Sequence, residues 1–504
     1  MEIAADDVSG PGGGGPPAAA PEAPPLVVDL DGTLILSDLL DESFLAALSA
    51  RPLAALASLG PLLRGDRAAL KRRLADRSSL DPALVPLRAD LVTHLRAERE
   101  KGRRLVLATA SDELLVKPLA AALGLFDEVL ASDGERNLGG EAKRALLVSR
   151  YGEKGFDYAG DRRADLPVFR SARSALLAGG GVGLRAEVEV AGTPVAAAFP
   201  GPAAGLGTLL GALRVRQWVK NVLVFVPLVT GHVFGAAALL SAFVAFLALS
   251  ACASGLYVLN DLVDLGSDRR HPTKRARPFA GGALPLRLGL LLVPLLLAAA
   301  AALGALLTPG ARLLLAGYAA TSALYSFFLK RKVLVDVFAL AFLYTLRVLL
   351  GGAATLVPVS PWLLAFSVFI FLSLAFAKRA SELFSVRERG HEGASGRDWL
   401  VRDAGMVRVL GVASGYGAGM VLAIYVHSDH VRELYAHPGW LWLLVPLLLY
   451  WSSRVWVLVG RGAMNEDPIV FALRDRVTWA IGLLTAAVLL AAARAPFGIP
   501  GLME

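Results

Sequence analysis

The feature that most constrains this chain is a series of nine apolar segments in its second half. They cover about residues 219–235, 237–258, 286–307, 311–328, 333–352, 360–377, 405–427, 439–459 and 477–494. Most are near the length at which a helix crosses a bilayer, which predicts an all-α, multi-pass membrane bundle of about nine helices. The composition agrees, because 55% of the residues are hydrophobic and 19% are charged. The first segment contains Pro227 and follows several basic residues, so it could instead lie partly in the interface.

The loops between these segments predict the orientation of the chain. Lys and Arg concentrate in alternate loops, around residues 269–277, 330–332, 378–402 and 461–476. The opposite loops carry little beyond Arg312 and Arg432. Because cytoplasmic loops are enriched in Lys and Arg, we expect a multi-pass protein of the cell membrane with its N-terminal domain in the cytoplasm. The same loops account for a net charge of +8, so nucleic acid is not implied as a partner.

Four regions follow from the changes in composition along the chain. Residues 1–25 are rich in Gly, Pro and Ala and lack a secretory signal, which predicts a disordered tail. Residues 26–178 alternate short apolar runs with helical stretches, as expected for an α/β domain with a parallel sheet. Residues 179–212 are predicted to be a linker, with some strand at LRAEVEV, and residues 213–504 form the membrane domain. The single cysteine, Cys252, excludes an intrachain disulfide.

A pair of carboxylates closes the first apolar run of the α/β domain. Asp29 and Asp31 lie two residues apart in LVVDLDGT and therefore project from the same side of an extended backbone. Such a pair can divide the work of phosphoryl transfer, because one carboxylate attacks phosphorus while the other handles the proton and helps to hold Mg²⁺. An acidic turn after a strand would look the same, so this motif alone leaves both interpretations open.

Three further motifs follow, and with them the sequence resembles the haloacid dehalogenase (HAD) superfamily of phosphatases. They are Thr109 at the end of RRLVLAT, a lysine at 143, and the run Gly160-Asp161-Arg-Arg-Ala-Asp165. The resemblance implies a HAD-like Rossmannoid sheet in which Asp29 is the nucleophile, forming an aspartyl phosphate, and Asp31 is the general acid and base.

The resemblance also assigns the remaining residues of this motif set. Thr109 would donate its hydroxyl to the phosphate, Lys143 would neutralise phosphoryl oxygens, and Asp161 and Asp165 would join Asp29 in holding Mg²⁺. Arg144 or Lys117 could take the place of Lys143.

The stretch from about residue 37 to residue 100 has helical periodicity and fits the helical cap with which such phosphatases select substrates. Its basic side chains could instead dock on a membrane or on partner helices. They are Arg64, Arg67, Lys71, Arg72 and Arg73.

The densest polar cluster of the membrane half follows the second apolar segment. If that helix continues, Asn260, Asp264 and Asp268 lie at i, i+4 and i+8 on one face, with Asp261 beside them. Such a ladder of oxygens suits Mg²⁺ bridged to a diphosphate, because Mg²⁺ prefers carboxylates, phosphates and water. Lys274 and Arg277 follow and can neutralise phosphoryl oxygens. The positive-inside rule explains the basic residues without any site, but it does not explain the acids.

This segment resembles the UbiA superfamily of intramembrane prenyltransferases, whose first motif is NxxxDxxxD. Details elsewhere look closer to the decaprenyl-phosphate phosphoribosyltransferase type. These are the strings Arg216-Gln-Trp-Val-Lys220-Asn221, Asp268-Arg-Arg-His-Pro, Tyr325-Ser-Phe-Phe-Leu-Lys330, Lys378-Arg379-Ala-Ser-Glu382 and Asp467-Pro-Ile-Val-Phe, together with Asp336 and Arg347. By resemblance, the further phosphate-binding residues are Lys220, Tyr325, Lys330, Lys378 and Arg379.

One departure from the broad family bears on the reaction. Aromatic prenyltransferases carry a second acidic DxxxD motif between the sixth and seventh spans, whereas this loop begins Lys378-Arg379 and holds Glu382 as its acid near the membrane. Cations suit a site that holds two phosphorylated reactants, phosphoribosyl diphosphate and a polyprenyl phosphate. The roles of Asp336, Arg347 and Glu382, like the oligomeric state, stay open, and a buried ion pair is the simplest role for the first two.

The two resemblances together predict a bifunctional membrane enzyme with Mg²⁺ in both domains. The membrane domain would transfer 5-phosphoribose to a polyprenyl phosphate, and the HAD domain would then remove the 5-phosphate. The alternative is a UbiA-type enzyme that joins a prenyl diphosphate to an aromatic or quinone acceptor. The HAD domain would then be a separate phosphatase or a docking module.

Overall fold

A computed structural model describes residues 23–58, 60, 66–78, 80–202, 204–388, 390, 392, 397–464 and 467–494. The predicted tail up to residue 22 and Arg64 lie outside these ranges. The chain divides into two compact units. The first contains the described residues up to Gly205 together with Leu262–Arg287, and the second contains Leu206–Asp261 and the residues from Leu288 onward.

The first unit is built on a six-stranded sheet, and every strand pair in it is parallel. Its strands are β1 (Leu26–Val28), β2 (Leu105–Asp112), β3 (Glu128–Ser132), β4 (Asp157–Gly160), β5 (Ala175–Ala178) and β6 (Val195–Phe199). Their spatial order is β3-β2-β1-β4-β5-β6, which places β1 at the centre between β2 and β4. The predicted parallel α/β class is confirmed, and the short apolar runs are strands because both faces of the sheet are covered by helices.

Helices connect the strands. They are α1 (Leu39–Ala50), α2 (Pro52–Ala57), α3 (Arg67–Arg77), α4 (Ala89–Glu100), α5 (Glu113–Leu123), α6 (Gly140–Tyr151), α7 (Leu166–Ser171) and α8 (Gly181–Val190). The predicted cap covers α1 to α4, but α4 buries Leu91 and Leu95 in the same hydrophobic cluster as β1 and β2. It therefore belongs to the layer that covers the sheet, which leaves α1 to α3 as the inserted helices.

The predicted linker is wrong over residues 181–199, which form α8 and β6. The string LRAEVEV is helical, although its alternation suggested a strand. Leu184 and Val188 are buried at helical spacing, whereas Val182 and Val190 are exposed. The alternation was misleading because residues i and i+4 share a face in a helix and also in a strand.

The second unit is helical. Its helices are α9 (Leu206–Ala212), α10 (Val226–Thr230), α11 (Ala236–Val263), α13 (Leu286–Ala305), α14 (Pro309–Phe327), α15 (Val335–Thr355), α16 (Pro361–Glu388), α17 (Ala404–Val426), α18 (Asp429–Leu434), α19 (Leu444–Gly460), α20 (Pro468–Arg474) and α21 (Arg476–Arg494). The short helix α12 (Leu265–Arg270) follows α11 and belongs to the first unit, as do the first two residues of α13.

Within the described residues, seven helices are long and apolar enough to cross a membrane. The other two of the nine expected segments are α14, with 19 residues, and the segment from Val215 to Thr230. That segment is a 3₁₀-helix, Val215–Phe225, followed by α10. Pro227 lies in the first turn of α10, where its missing N–H would have no helical partner, whereas inside one continuous α-helix it would remove a hydrogen bond.

Candidate active sites

The carboxyl ends of β1, β2 and β4 carry the residues that were expected to perform phosphoryl transfer. Asp29 and Asp31 follow β1, Thr109 lies in β2, and Asp161 and Asp165 follow β4. Since β1 pairs in parallel with both β2 and β4, these ends meet at one edge of the sheet.

Lys143 reaches the same edge from α6. Its Nζ lies 2.6 Å from Asp29 Oδ1 and 3.6 Å from Asp165 Oδ1, and its side chain is buried. The two alternatives lie elsewhere in local surface pairs, Lys117 with Glu113 and Arg144 with Glu141. Of the three cations, Lys143 is thus the one placed against the predicted nucleophile.

Three carboxylates are arranged as a metal site would require. Asp29, Asp161 and Asp165 each offer one oxygen, and these oxygens lie within 4.8 Å of one another. Within the ranges that the structure describes, no other group of three His, Cys, Asp or Glu side chains is this close. A set made only of carboxylate oxygens fits Mg²⁺, which prefers hard oxygen ligands.

Two carboxyl groups of this cluster, those of Asp29 and Asp161, have raised pKa values because they are buried. Burial raises the pKa of Asp29 to about 7, with Lys143 opposing the shift and Asp165 and Asp31 reinforcing it. Burial likewise raises the pKa of Asp161 to about 6, against the effect of Arg162. Both carboxyls are therefore poised to lose a proton when a cation arrives.

Hydrogen bonds from a backbone N–H and a serine hydroxyl fix the carboxylate of Asp31. Its Oδ1 accepts a hydrogen bond of 2.8 Å from the Leu39 N–H at the start of α1, and its Oδ2 accepts one of 2.6 Å from Ser111 Oγ. Thr109 Oγ1 lies 3.4 Å from the same Oδ2. Burial and the neighbouring Asp38 raise the pKa of Asp31 above its ordinary value, the direction that favours a carboxyl group that carries a proton.

Sequence reasoning missed three residues of this site. Ser111 could have been found, because it lies two residues after Thr109 on the same side of β2. Tyr158 OH accepts from Lys143 Nζ at 3.0 Å and donates to Asp165 Oδ1 at 2.9 Å. Buried Arg88 donates to the carbonyls of Gly32 and Thr33 at 2.9 and 3.0 Å and so holds the turn after Asp31. No local pattern marks the last two.

The acid ladder is not one continuous helix. α11 ends at Val263, and Asp264 is the N-cap of α12, so the expected i, i+4, i+8 face is interrupted there. Asp268 is buried, and its Oδ2 accepts from Arg277 Nη1 at 2.5 Å. Lys274 starts a short 3₁₀ turn and is exposed.

Asn260 and Asp261 lie in the second unit, near the end of α11. Asp261 is buried and pairs with Arg214, whose guanidinium lies 4.8 Å from the centre of the Tyr257 ring.

A second polar cluster in the same unit surrounds Asp467. Lys220 Nζ lies 2.6 Å and Lys378 Nζ 3.2 Å from Asp467 Oδ2. The Tyr344 ring lies below both Lys220 and Arg347, at 5.7 and 5.1 Å. Two residues predicted to bind phosphate are thus brought together with Arg347, whose role was open. We call these four charged residues, Lys220, Arg347, Lys378 and Asp467, the cation cluster.

Arg379, also expected to bind phosphate, instead lies in a buried ion pair. Neither Arg379 nor Asp336 has exposed surface, and their closest charged atoms are 2.7 Å apart. Trp399 Nε1 donates to Asp336 at 3.0 Å, and Glu382 pairs with both Arg379 and Arg397. Because its charge is balanced by neighbouring acids, Arg379 is assigned a structural role instead of phosphate binding. Asp336, whose role the sequence left open, is its partner in this ion pair.

Arg397 connects Tyr325 and Lys330 to the ion pair of Arg379 and Asp336. Its Nη1 donates to Tyr325 OH at 3.4 Å and to the Lys330 carbonyl at 3.2 Å.

Comparison with known proteins identifies both domains. The model of the UbiA prenyltransferase family matches residues 221–471, and that of the haloacid dehalogenase-like hydrolases matches residues 26–170. A relative of the same two-domain extent, the uncharacterised protein y4nM of Sinorhizobium fredii, is 37% identical over 92% of this chain and 90% of its own. The chain belongs to the UbiA prenyltransferase family. It carries a HAD-like domain at its N-terminus.

Two further relatives cover part of this UbiA family member. The nodulation protein NoeC of Azorhizobium caulinodans is 37% identical over 53% of this chain and 87% of its own length. A decaprenyl-phosphate phosphoribosyltransferase of Mycobacterium tuberculosis is 36% identical over 38% of this chain and 64% of its own. The protein therefore joins a membrane transferase domain to a phosphatase domain in one chain.

Proposed function

We propose that this protein transfers 5-phosphoribose from phosphoribosyl diphosphate to a polyprenyl phosphate, and that its HAD domain then removes the 5-phosphate. The observation that carries the proposal is the cation cluster. Among the described residues it contains three basic side chains, Lys220, Arg347 and Lys378, and one carboxylate, Asp467. Lys220 and Arg347 are almost fully buried, and an excess of buried basic groups favours an anionic ligand.

A phosphate monoester fits that requirement. Such a group carries a charge of about −1.5 to −2 near neutral pH, opposite in sign to the basic side chains of the cluster. A polyprenyl phosphate has this head group and an apolar tail suited to membrane helices. Glu382, the acid of this loop that lies near the membrane, is engaged by Arg379 and Arg397, which argues against a second metal ladder of the aromatic prenyltransferase kind.

The first reaction is a substitution at the anomeric carbon of the ribose. An oxygen of the lipid phosphate attacks that carbon while the bond to the diphosphate breaks, so the lipid phosphate becomes a phosphodiester and inorganic diphosphate leaves. Lys220 and Lys378 orient the attacking phosphate, and by the resemblance of their motif Asp264, Asp268 and Arg277 would bind the leaving diphosphate. When bound, Mg²⁺ would neutralise the negative charge that builds on phosphate oxygens in both reactions.

The second reaction takes place at Asp29. One carboxylate oxygen attacks the phosphorus of the 5-phosphate, and the bond from phosphorus to the ribose oxygen breaks. Asp31 gives its proton to that leaving oxygen and later takes a proton from the water that hydrolyses the aspartyl phosphate. Lys143 holds Asp29 and neutralises the phosphoryl oxygens. The products are polyprenyl-phosphoryl ribose and inorganic phosphate, and we place this domain in the cytoplasm, where the positive loops predict it.

A dual-label assay tests both steps. Purified protein in detergent receives Mg²⁺, a polyprenyl phosphate, and phosphoribosyl diphosphate labelled with ¹⁴C in the ribose and ³²P in the 5-phosphate. The wild type should yield a lipid with ¹⁴C and free ³²P-phosphate. Asp29→Asn should leave both labels in the lipid, and Asp264→Asn should leave neither.

The surface variant Glu141→Gln serves as the control and should behave as wild type. The proposal fails if wild type transfers no label from phosphoribosyl diphosphate but joins a prenyl diphosphate to an aromatic acceptor.

A further inference from the structure

The loop Leu262–Arg287, which carries two of the ladder residues, is packed within the first unit against the cap helix α1. Its main attachment is an ion pair between Arg269 and Glu42. The two side chains form parallel hydrogen bonds of 2.8 and 2.6 Å, and they are only 6% and 1% exposed. A buried, bidentate pair fixes both distance and orientation, which a single surface contact does not.

Arg269 also closes the loop on itself. Its Nε donates to the Ala280 carbonyl at 3.0 Å, so one guanidinium joins α12, the returning part of the loop and α1. Arg269 directly follows Asp268, whose carboxylate is paired with Arg277 across the same loop. The attachment to α1 therefore acts on the segment that presents Asp268.

The loop has further contacts with the start of α1 and with the residues just before it. Arg287 contacts Asp38, the N-cap of α1, at 2.7 Å and Asp41 at 2.9 Å. Gly282 has a φ of +74°, and a Cβ at that position would lie 2.6 Å from the Leu36 Cβ, so the loop approaches the chain before α1 closely. Ser49 of α1 donates to the Val263 carbonyl at 2.9 Å, and Arg270 lies 3.3 Å from Asp81. Several contacts besides the Arg269–Glu42 pair therefore hold the loop.

Helix α1 also contacts the phosphatase site, because the Leu39 N–H at its start donates a hydrogen bond to Asp31 Oδ1. One helix thus contacts the predicted general acid of one reaction and the loop with the diphosphate residues of the other. Glu42 lies three residues beyond Leu39, and its carboxylate binds Arg269 rather than a residue of the phosphatase site, so it can be changed without altering a phosphatase residue.

We propose that Glu42 and Arg269 are positioning residues for the transferase reaction. They hold the loop so that Asp264 and Asp268 are positioned to bind the diphosphate of the donor. This inference rests on the proposed function of the ladder, and it adds a residue from outside the UbiA-like domain to the transferase.

Two measurements on the full-length protein test the proposal. The first is hydrogen exchange of the metal-free protein without substrate, compared between wild type, Glu42→Gln and the control Glu141→Gln. Glu42→Gln should speed amide exchange in residues 264–282 and leave the exchange rates of β2 unchanged. The control Glu141→Gln should leave the exchange rates of both segments unchanged. Unchanged exchange in the loop of Glu42→Gln would overturn the proposal.

The second measurement is the Mg²⁺ concentration that gives half-maximal transfer. Loss of an outer-shell partner typically weakens metal binding by 10-fold to 100-fold, so Glu42→Gln should raise this concentration by about 10-fold or more. Hydrolysis of p-nitrophenyl phosphate should stay within about 2-fold of wild type. The double variant Glu42→Gln, Arg269→Gln should be no worse than Arg269→Gln alone, because the two side chains act as one pair. Faster exchange with an unchanged Mg²⁺ requirement would show a purely structural pair and would also overturn the proposal.

A binding measurement separates this inference from the proposed reaction. Mn²⁺ with inorganic diphosphate is titrated by electron paramagnetic resonance into protein carrying Asp165→Asn, which weakens the phosphatase metal site. Adding Glu42→Gln should weaken the remaining binding by about 10-fold. If wild type fails to use phosphoribosyl diphosphate but this effect is present, the proposed donor is wrong and the positioning role stands. If the effect is absent, the positioning role is wrong.

Discussion

Lys143 Nζ lies 2.6 Å from Asp29 Oδ1, and both side chains are buried. The ammonium is the nearest cation to the predicted nucleophile, and Tyr158 OH and Asp165 hold it in place. Lys143→Met should therefore lower the rate of p-nitrophenyl phosphate hydrolysis by about 10²-fold to 10³-fold, the usual cost of removing one preorganised donor. Transfer of ribose label to lipid should be unaffected. Lys117→Met, at the surface, is the control, and equal losses in both variants would contradict the role given to Lys143.

The raised pKa values of Asp29 and Asp161 predict how Mg²⁺ activation depends on pH. Their values of about 7 and 6 mean that the metal-free fold prefers the protonated forms, so its stability falls as pH rises from about 4 towards 7. Mg²⁺ binds the ionised forms and must displace those protons. The Mg²⁺ concentration for half-maximal phosphatase activity should therefore be lower at pH 8 than at pH 5.5. A value that does not change with pH would show that these carboxyls are already ionised without the metal.

Gly32 follows the catalytic pair, and its conformation is one that glycine adopts easily. Its φ is +79°, and a Cβ would lie 2.1 Å from Asp161 Oδ2. Gly32→Ala should displace a metal ligand and reduce phosphatase activity at least 10-fold. Gly102 has the same φ of +79° but no atom within 4 Å of its Cβ position. Gly102→Ala should therefore cost only the backbone strain, about 1 kcal/mol of stability, and keep its activity.

The cation cluster predicts how the lipid phosphate is held. Lys220→Gln removes one of three cations beside Asp467, so it should raise the KM for polyprenyl phosphate by about 10-fold, as expected when one charge-assisted contact of about 1.5 kcal/mol is lost. The KM for phosphoribosyl diphosphate should change much less. The reverse pattern, a changed KM for phosphoribosyl diphosphate with an unchanged KM for the lipid, would show that the cluster binds the donor instead. The exposed Lys332→Gln is a suitable control.

The buried pair of Arg379 and Asp336 predicts a loss of stability rather than of binding. Asp336→Ala leaves the buried Arg379 with Glu382 as its remaining acidic partner and should lower the free energy of unfolding by up to about 3–5 kcal/mol. The double variant Asp336→Ala, Arg379→Ala should lose less than the two single variants added together. Unfolding in detergent, followed by tryptophan fluorescence, measures this. Asp429→Ala, at a surface pair in which the aspartate is 96% exposed, should change stability by less than about 1 kcal/mol.

The residues of the phosphatase site could largely be found in the sequence. Asp29, Asp31 and Asp161 follow strands and Thr109 lies in the carboxyl-terminal half of β2, and parallel pairing brings strand ends together whatever the connections between them are. Lys143 was the least certain of them, because nothing local distinguishes it from Arg144, and the packing of α6 decided between the two. Tyr158 and Arg88 were missed for the same reason, since their partners lie far along the chain.

The sequence by itself determined the two-domain organisation, the apolar helices and the order of the acidic motifs, because hydrophobic periodicity and motif spacing are local properties. Only the tertiary structure decided which charges meet. It paired Arg379 with Asp336 instead of leaving it open for a phosphate, gathered Lys220 and Lys378 on Asp467, and attached the ladder loop to Glu42. The physical reason is that burying a charge is costly unless a partner is in place, and that partner is supplied by packing between segments that may be more than 200 residues apart, as with Glu42 and Arg269.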